Sequence, residues 1–99
     1  MSQVLPGPMV ERLGPPASHL IASELDGDIS LYDPVRSNVH VLNSTASDVW
    51  RLLDGEHTLD EVIVLMARAY ELDPSDIRVH VARTVDVFTE RGLLRRAEG

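Results

Sequence analysis

The dipeptide Asp26-Gly27 lies between two short segments that carry apolar residues, Leu20, Ile21, Ala22 and Leu25 before it and Ile29, Leu31 and Tyr32 after it. Asp and Gly both accept the positive φ angles of a two-residue hairpin turn, and such a turn sets the register of the strands it joins. A strand over 19–25 and its partner over 28–33 are therefore expected. Pro34 to Asn38 reads as a second turn, and Val39-His40-Val41-Leu42 as a short third strand. The expected sheet is an antiparallel meander.

After Leu42 the period changes, and apolar residues recur at helical spacing in three segments. Asn43 or Ser44 can cap the first, which carries Ala46, Val49, Trp50, Leu52 and Leu53 and stops at Asp54-Gly55. Thr58 and Glu61 form a capping box ahead of Leu59, Val62, Ile63, Leu65, Met66, Ala69 and Tyr70, in which each side chain serves a free backbone N–H. Asp73-Pro74 opens the third segment; its inner stripe is Ile77, Val81, Thr84, Val85 and Phe88, and Gly92 ends it, with Leu93-Leu94 folding back over the core. The fold class is α+β: a three-stranded antiparallel sheet followed by three helices, a winged helix-turn-helix-like arrangement with the sheet placed first.

Residues 1–18 read differently. They hold four of the six prolines, Pro6, Pro8, Pro15 and Pro16, together with Gly7 and Gly14. That density excludes a helix and predicts a flexible, extended arm ahead of a folded domain over 19–96. Met9, Val10 and Leu13 can dock on the sheet or on a second subunit; a mobile tail is the other reading.

With 99 residues, 43% of them hydrophobic, the chain can bury one core, and only four aromatic residues leave Val, Leu, Ile and Ala to fill most of it. The absence of cysteine excludes disulfides and thiolate metal sites. No apolar run approaches the ~20 residues of a membrane span, and the first residues lack the basic and apolar regions of a secretory signal, so cytoplasmic residence is expected. The formal charge is −7, and all nine basic residues are Arg. Proteins hold duplex nucleic acid chiefly by cations on phosphates, so this balance disfavours nucleic acid unless a local patch compensates.

Enzyme signatures are missing: there is neither a Gly-rich phosphate loop nor a Gly-x-Ser-x-Gly elbow. His19, His40, His57 and His80 never fall three to five residues apart, so no local metal pair exists. Neither a catalytic residue nor a metal or cofactor is expected. The acidic pairs Asp60-Glu61 and Asp73/Asp76 sit at helix starts, where the helix dipole favours carboxylates, and capping accounts for them better than acid–base catalysis.

A different chemistry attaches to the third strand. A three-strand meander has two edges, each displaying unpaired N–H and C=O groups. Val39-His40-Val41-Leu42 carries neither Lys nor Pro to block pairing. An extended peptide can add to such an edge, with main-chain hydrogen bonds supplying affinity and side-chain pockets supplying specificity. A second, weaker apolar stripe on the third helix, at Val79, Ala82 (or Arg83) and Val87, can wall a groove along that strand; extra core or scattered surface is the plainer reading.

The run Leu42-Asn43-Ser44-Thr45-Ala46, then Val49-Trp50, Leu53-Asp54-Gly55 and Thr58 with Glu61-Val62, resembles the PqqD-like family, as does the end, where Val81, Val85 and Phe88 lead into Gly92-Leu93-Leu94. The resemblance covers about residues 19–96. His80 stands where the family usually has an acidic residue, and Thr84 where it has a larger apolar one. The resemblance implies a module that binds the leader segment of ribosomally made, modified peptides. There the leader adds as a fourth strand beside the third strand and lies against the third helix. Carried over by position, the contacts are Val39, His40, Val41 and Leu42 on the strand, and Val79, His80, Arg83, Thr84 and Val87 on the helix. It also implies a partner maturation enzyme, commonly a radical SAM protein or a leader peptidase. Asn43 and Trp50 are read as structural, a cap and a core anchor.

Two rivals stand beside this reading. A winged-helix DNA-binding regulator would use Arg78, Arg83, Arg91, Arg95 and Arg96, with Asp76, Asp86, Glu90 and the net charge opposing it. A structural subunit would exchange the proline arm between protomers; such a homodimer is compatible with peptide binding.

Overall fold

The computed structural model describes residues 12–96. In chain order its elements are β1 (Leu13–Pro16), β2 (Ile21–Leu25), β3 (Asp28–Asp33), β4 (Asn38–Val41), α1 (Ser44–Arg51), α2 (Leu59–Tyr70), α3 (Pro74–Glu90) and β5 (Leu94–Arg96). The expected meander is present as an open antiparallel sheet in the order β2-β3-β4. Asp26 and Gly27 take φ of 56° and 87° and close the turn that places Leu25 opposite Asp28. Beyond Asp33 a four-residue loop, with Ser37 left-handed at φ 56°, returns the chain so that Asn38 faces Asp33.

The helices begin where their caps lie. Asn43 Oδ1 accepts the Ala46 N–H at 2.8 Å, Thr58 and Glu61 complete the reciprocal box, and Asp73 caps α3 with Pro74 at its first turn. Each cap satisfies backbone donors that a helix start leaves free. Ser47, fully buried, ties α1 to the sheet: its Oγ accepts the Ile29 N–H at 2.9 Å and donates to the Leu42 carbonyl at 3.3 Å. The hydroxyl thus replaces a ladder bond that these two residues would otherwise lack.

Ile29 and Leu31 of β3 point into the core, where they meet Val49, Leu53, Val62, Ile63, Met66, Ile77, Val81 and Val85. Trp50 and Phe88 meet edge to face, with ring centroids 5.3 Å apart. Thr84, expected on this inner stripe, is only partly buried. Among the described residues, no helix is long and apolar enough to cross a membrane.

Residues 1–11 lie outside the described residues, and within the described part of the arm, residues 12–18, the chain packs against the domain. Strand β1 pairs antiparallel with β5, Pro16 opposite Leu94, and the Ala17 N–H donates to the Leu93 carbonyl at 2.9 Å. Leu13 donates its N–H to the His57 carbonyl and accepts from the Gly55 N–H, both at 2.8 Å, and its side chain packs on the core. The prolines read as breakers are tolerated because a two-stranded ribbon has solvent-facing edges that need no donor. Within its described part, then, the arm docks on its own chain. Met9 and Val10 lie outside the described residues.

Asp33 organises the β3–β4 loop from a side chain with no exposed surface. Its Oδ1 accepts the N–H groups of Val35 (3.0 Å) and Arg36 (3.2 Å), its Oδ2 meets Arg36 Nη1 at 3.1 Å, and His19 Nε2 lies 3.3 Å from Oδ1. Burial pushes this carboxyl up, but the Arg36 backbone and guanidinium bonds and the His19 contact together hold it below its usual value. A carboxyl whose pKa is lower folded than unfolded adds stability above the unfolded value of about 4, and loses that contribution as pH falls through the folded value. Asp33→Asn is therefore expected to lower the melting temperature at pH 7, with the difference from wild type shrinking as pH falls below about 4. A constant gap over that fall, read by circular dichroism, would contradict this account.

Candidate functional site

Strand β4 is an edge: β3 covers one side, and no strand among the described residues pairs with the other. The parity of its backbone follows from one bond. The Leu42 N–H donates to the Ile29 carbonyl at 2.8 Å, and the register sets His40 opposite Leu31 and Asn38 opposite Asp33. Antiparallel bonding alternates along a strand, so Asn38, His40 and Leu42 turn their polar backbone toward β3. Val39 and Val41 turn theirs outward, to the open edge.

Side chains alternate in the perpendicular sense. His40 and Leu42 share the core-side face with Leu31 and Ile29, while Val39 and Val41, 61% and 74% exposed, stand on the outer face. There Val39 continues a row with Tyr32 and Ile21 across all three strands.

Between β4 and α3 runs a groove of about 270 Å³. His40, Val41 and Leu42 line it from the strand, and Asn43 and Ala46 from the start of α1. The helix contributes His80, Arg83, Thr84, Val87, Phe88 and Arg91, and Leu93 closes one end. Of the positions expected from the sequence, His40, Val41, Leu42, His80, Arg83, Thr84 and Val87 thus converge on one groove, and Val39 and Val79 do not. Val39 contributes backbone to the edge while its side chain points away. Val79, 66% exposed, lies about 100° round the helix from His80, beyond the rim.

Asn43, Ala46, Phe88, Arg91 and Leu93 were not among the expected positions. Phe88 and Arg91 continue the helical spacing from His80, which is the signal that finds them; Phe88 was absorbed by its reading as core. Asn43 both caps α1 and borders the groove. The Thr84 hydroxyl donates to the His80 carbonyl at 2.9 Å, so its proton is committed within the helix. His40 Nε2 is shut off from solvent and has no hydrogen-bond partner among the described residues, a state that ordinarily costs about 1–3 kcal/mol. Among the described residues, no group of three or more His, Cys, Asp or Glu is placed to hold a metal ion.

An open three-stranded sheet, three packed helices and an unpaired edge facing a helix across a groove define a winged-helix-like domain. The chain belongs to the family described as Coenzyme PQQ synthesis protein D (PqqD), whose model matches residues 28–94. Among solved structures, TbiB1 in complex with the TbiA(beta) leader peptide is similar with a TM-score of 0.75 and 14% identity, over 85% of this chain and 98% of that one. Lasso peptide synthetase B1 complexed with the leader peptide is similar with a TM-score of 0.69 and 27% identity, over 82% and 95% of the two chains. Comparison with curated proteins finds no match.

Proposed function

We propose that this domain binds the leader segment of a ribosomally made precursor peptide by strand addition to β4, and presents it to a separate modifying or processing enzyme. The observation that carries the reading is the outward parity of Val39 and Val41 beside the groove. An antiparallel guest gains up to four main-chain hydrogen bonds from those two residues, whatever its sequence. Groove contacts then select among guests. The two similar structures, both complexes with leader peptides, support the same assignment.

The domain's contribution is binding rather than catalysis: holding a leader beside a partner enzyme raises the effective concentration of the precursor there. That partner is a radical SAM protein or a leader peptidase, and the pair acts in the cytoplasm, where precursors are made. Useful capture needs micromolar affinity, about −8 kcal/mol, after about 2–5 kcal/mol is lost in ordering a flexible leader.

The DNA-binding alternative gains nothing from the fold. Arg78 is engaged with Asp60 at 3.0 Å, and Arg83 and Arg91 line the groove instead of forming a convex basic face. Titrating the leader of a precursor encoded beside this gene, with amide resonances followed by NMR, tests the proposal. Saturable shifts are expected at residues 39–42 and along α3. Saturable binding that perturbs only α2 or the β2 edge would overturn it.

A further inference from the structure

The groove departs in charge from the chain that forms it. Acidic residues outnumber basic ones 16 to 9, yet the groove is lined by Arg83, Arg91, His40 and His80 and, among the described residues, by no carboxylate. The cavity on α2, by contrast, is lined by Asp60 and Glu61 with a single histidine, His57. Arg36, Arg51 and Arg78 are each engaged in an ion pair, whereas no described carboxylate lies within ion-pair distance of Arg83 or Arg91. Asp86 and Glu90, the nearest acidic residues in sequence on α3, are absent from the groove lining.

Helix and strand geometry then align the lining with a guest. Arg83, Val87 and Arg91 follow one another at four-residue steps, about 6 Å each along the helix. A strand advances about 6.6 Å over two residues, and residues two apart share a face. A guest running along α3 therefore meets the three helix positions with three successive groove-side residues. The middle one faces Val87 and the buried ring of Phe88; the outer two face guanidinium groups.

We infer that Arg83 and Arg91 select guests with a carboxylate in the groove, in the pattern acidic–x–apolar–x–acidic. The inference rests on strand addition and names the peptide class that this site takes. The net charge of −7 does not oppose it, because at physiological ionic strength charges farther apart than about 8 Å are largely screened, while a guanidinium in contact is not.

The test is selection of a displayed library of random dodecapeptides on the full chain. Enriched peptides are expected to carry Asp or Glu two residues from an apolar residue. In the tightest peptide, replacing each groove-side Asp or Glu by its amide should weaken binding about tenfold at 0.15 M salt and much less at 1 M. Arg83→Gln and Arg91→Gln, both at exposed positions, should each cost the acidic peptide about tenfold and the amide peptide much less. Enriched peptides without acidic residues, or arginine variants that weaken both peptides equally, would overturn the inference while leaving strand addition standing. Selection that yields no peptide shifting the amides of residues 39–42 would overturn both.

Discussion

Val41→Pro is expected to weaken leader binding at least tenfold, about 1.4 kcal/mol, while the domain stays folded. The Val41 N–H points to the open edge, so its removal breaks no bond of the β3–β4 ladder and deletes a donor that only the guest uses. Proline is tolerated on an edge strand for the same reason, and the residue it restricts, His40, is already extended within β4. The stability change should stay within about 1 kcal/mol. One residue earlier the outcome inverts. His40 faces Leu31 through the ladder, so His40→Pro should cost about 2 kcal/mol or more of stability by orphaning a buried carbonyl. Calorimetric titration together with denaturant unfolding of both variants reads the contrast. Unchanged affinity in a folded Val41→Pro protein would remove strand addition as the mode of binding.

Gly14→Ala is expected to destabilise the domain by about 3 kcal/mol or more. Gly14 sits at φ +88°, and a Cβ there would fall well inside contact distance of the Leu53 carbonyl, a backbone group that cannot swing aside. The left-handed conformation costs a non-glycine residue about 1–2 kcal/mol, and overpacking adds about 1–3 kcal/mol. Gly27→Ala separates the two contributions. Gly27 has nearly the same φ, +87°, but nothing within 4 Å of the added methyl, so about 1 kcal/mol is expected from conformation alone. Equal losses in the two variants, measured by urea unfolding, would show that β1 does not press on the α1–α2 loop.

Most elements were legible because their causes are local. The Asp26-Gly27 turn, the Asn43, Thr58 and Asp73 caps and the apolar spacing of α2 and α3 act within about four residues of chain, and each appears where the sequence places it. The PqqD-like resemblance, expected over 19–96, is matched over 28–94. The ribbon of β1 and β5 was not legible. Its strands lie at opposite ends of the chain, Gly14-Pro15-Pro16 signals a break rather than a strand, and Leu93-Leu94 shows only that the end is apolar. In the groove, the apolar stripe on α3 pointed to Arg83 and Val87 and the family resemblance added His80 and Thr84, whereas Val79, named by both, lies outside the lining, because a stripe chosen by hydrophobicity ignores which way a cleft opens.

By itself the sequence determined the order of the elements, their turns and caps, and the presence of a short strand free of edge-blocking residues. These depend on satisfying backbone groups with near neighbours. The tertiary structure decided what the strand faces. It alone set the parity that turns Val39 and Val41 outward, docked β1 on β5, and brought Arg83 and Arg91 to one groove that holds no carboxylate among the described residues. Those outcomes depend on loop geometry and on packing between segments distant in the chain, which no local spacing records.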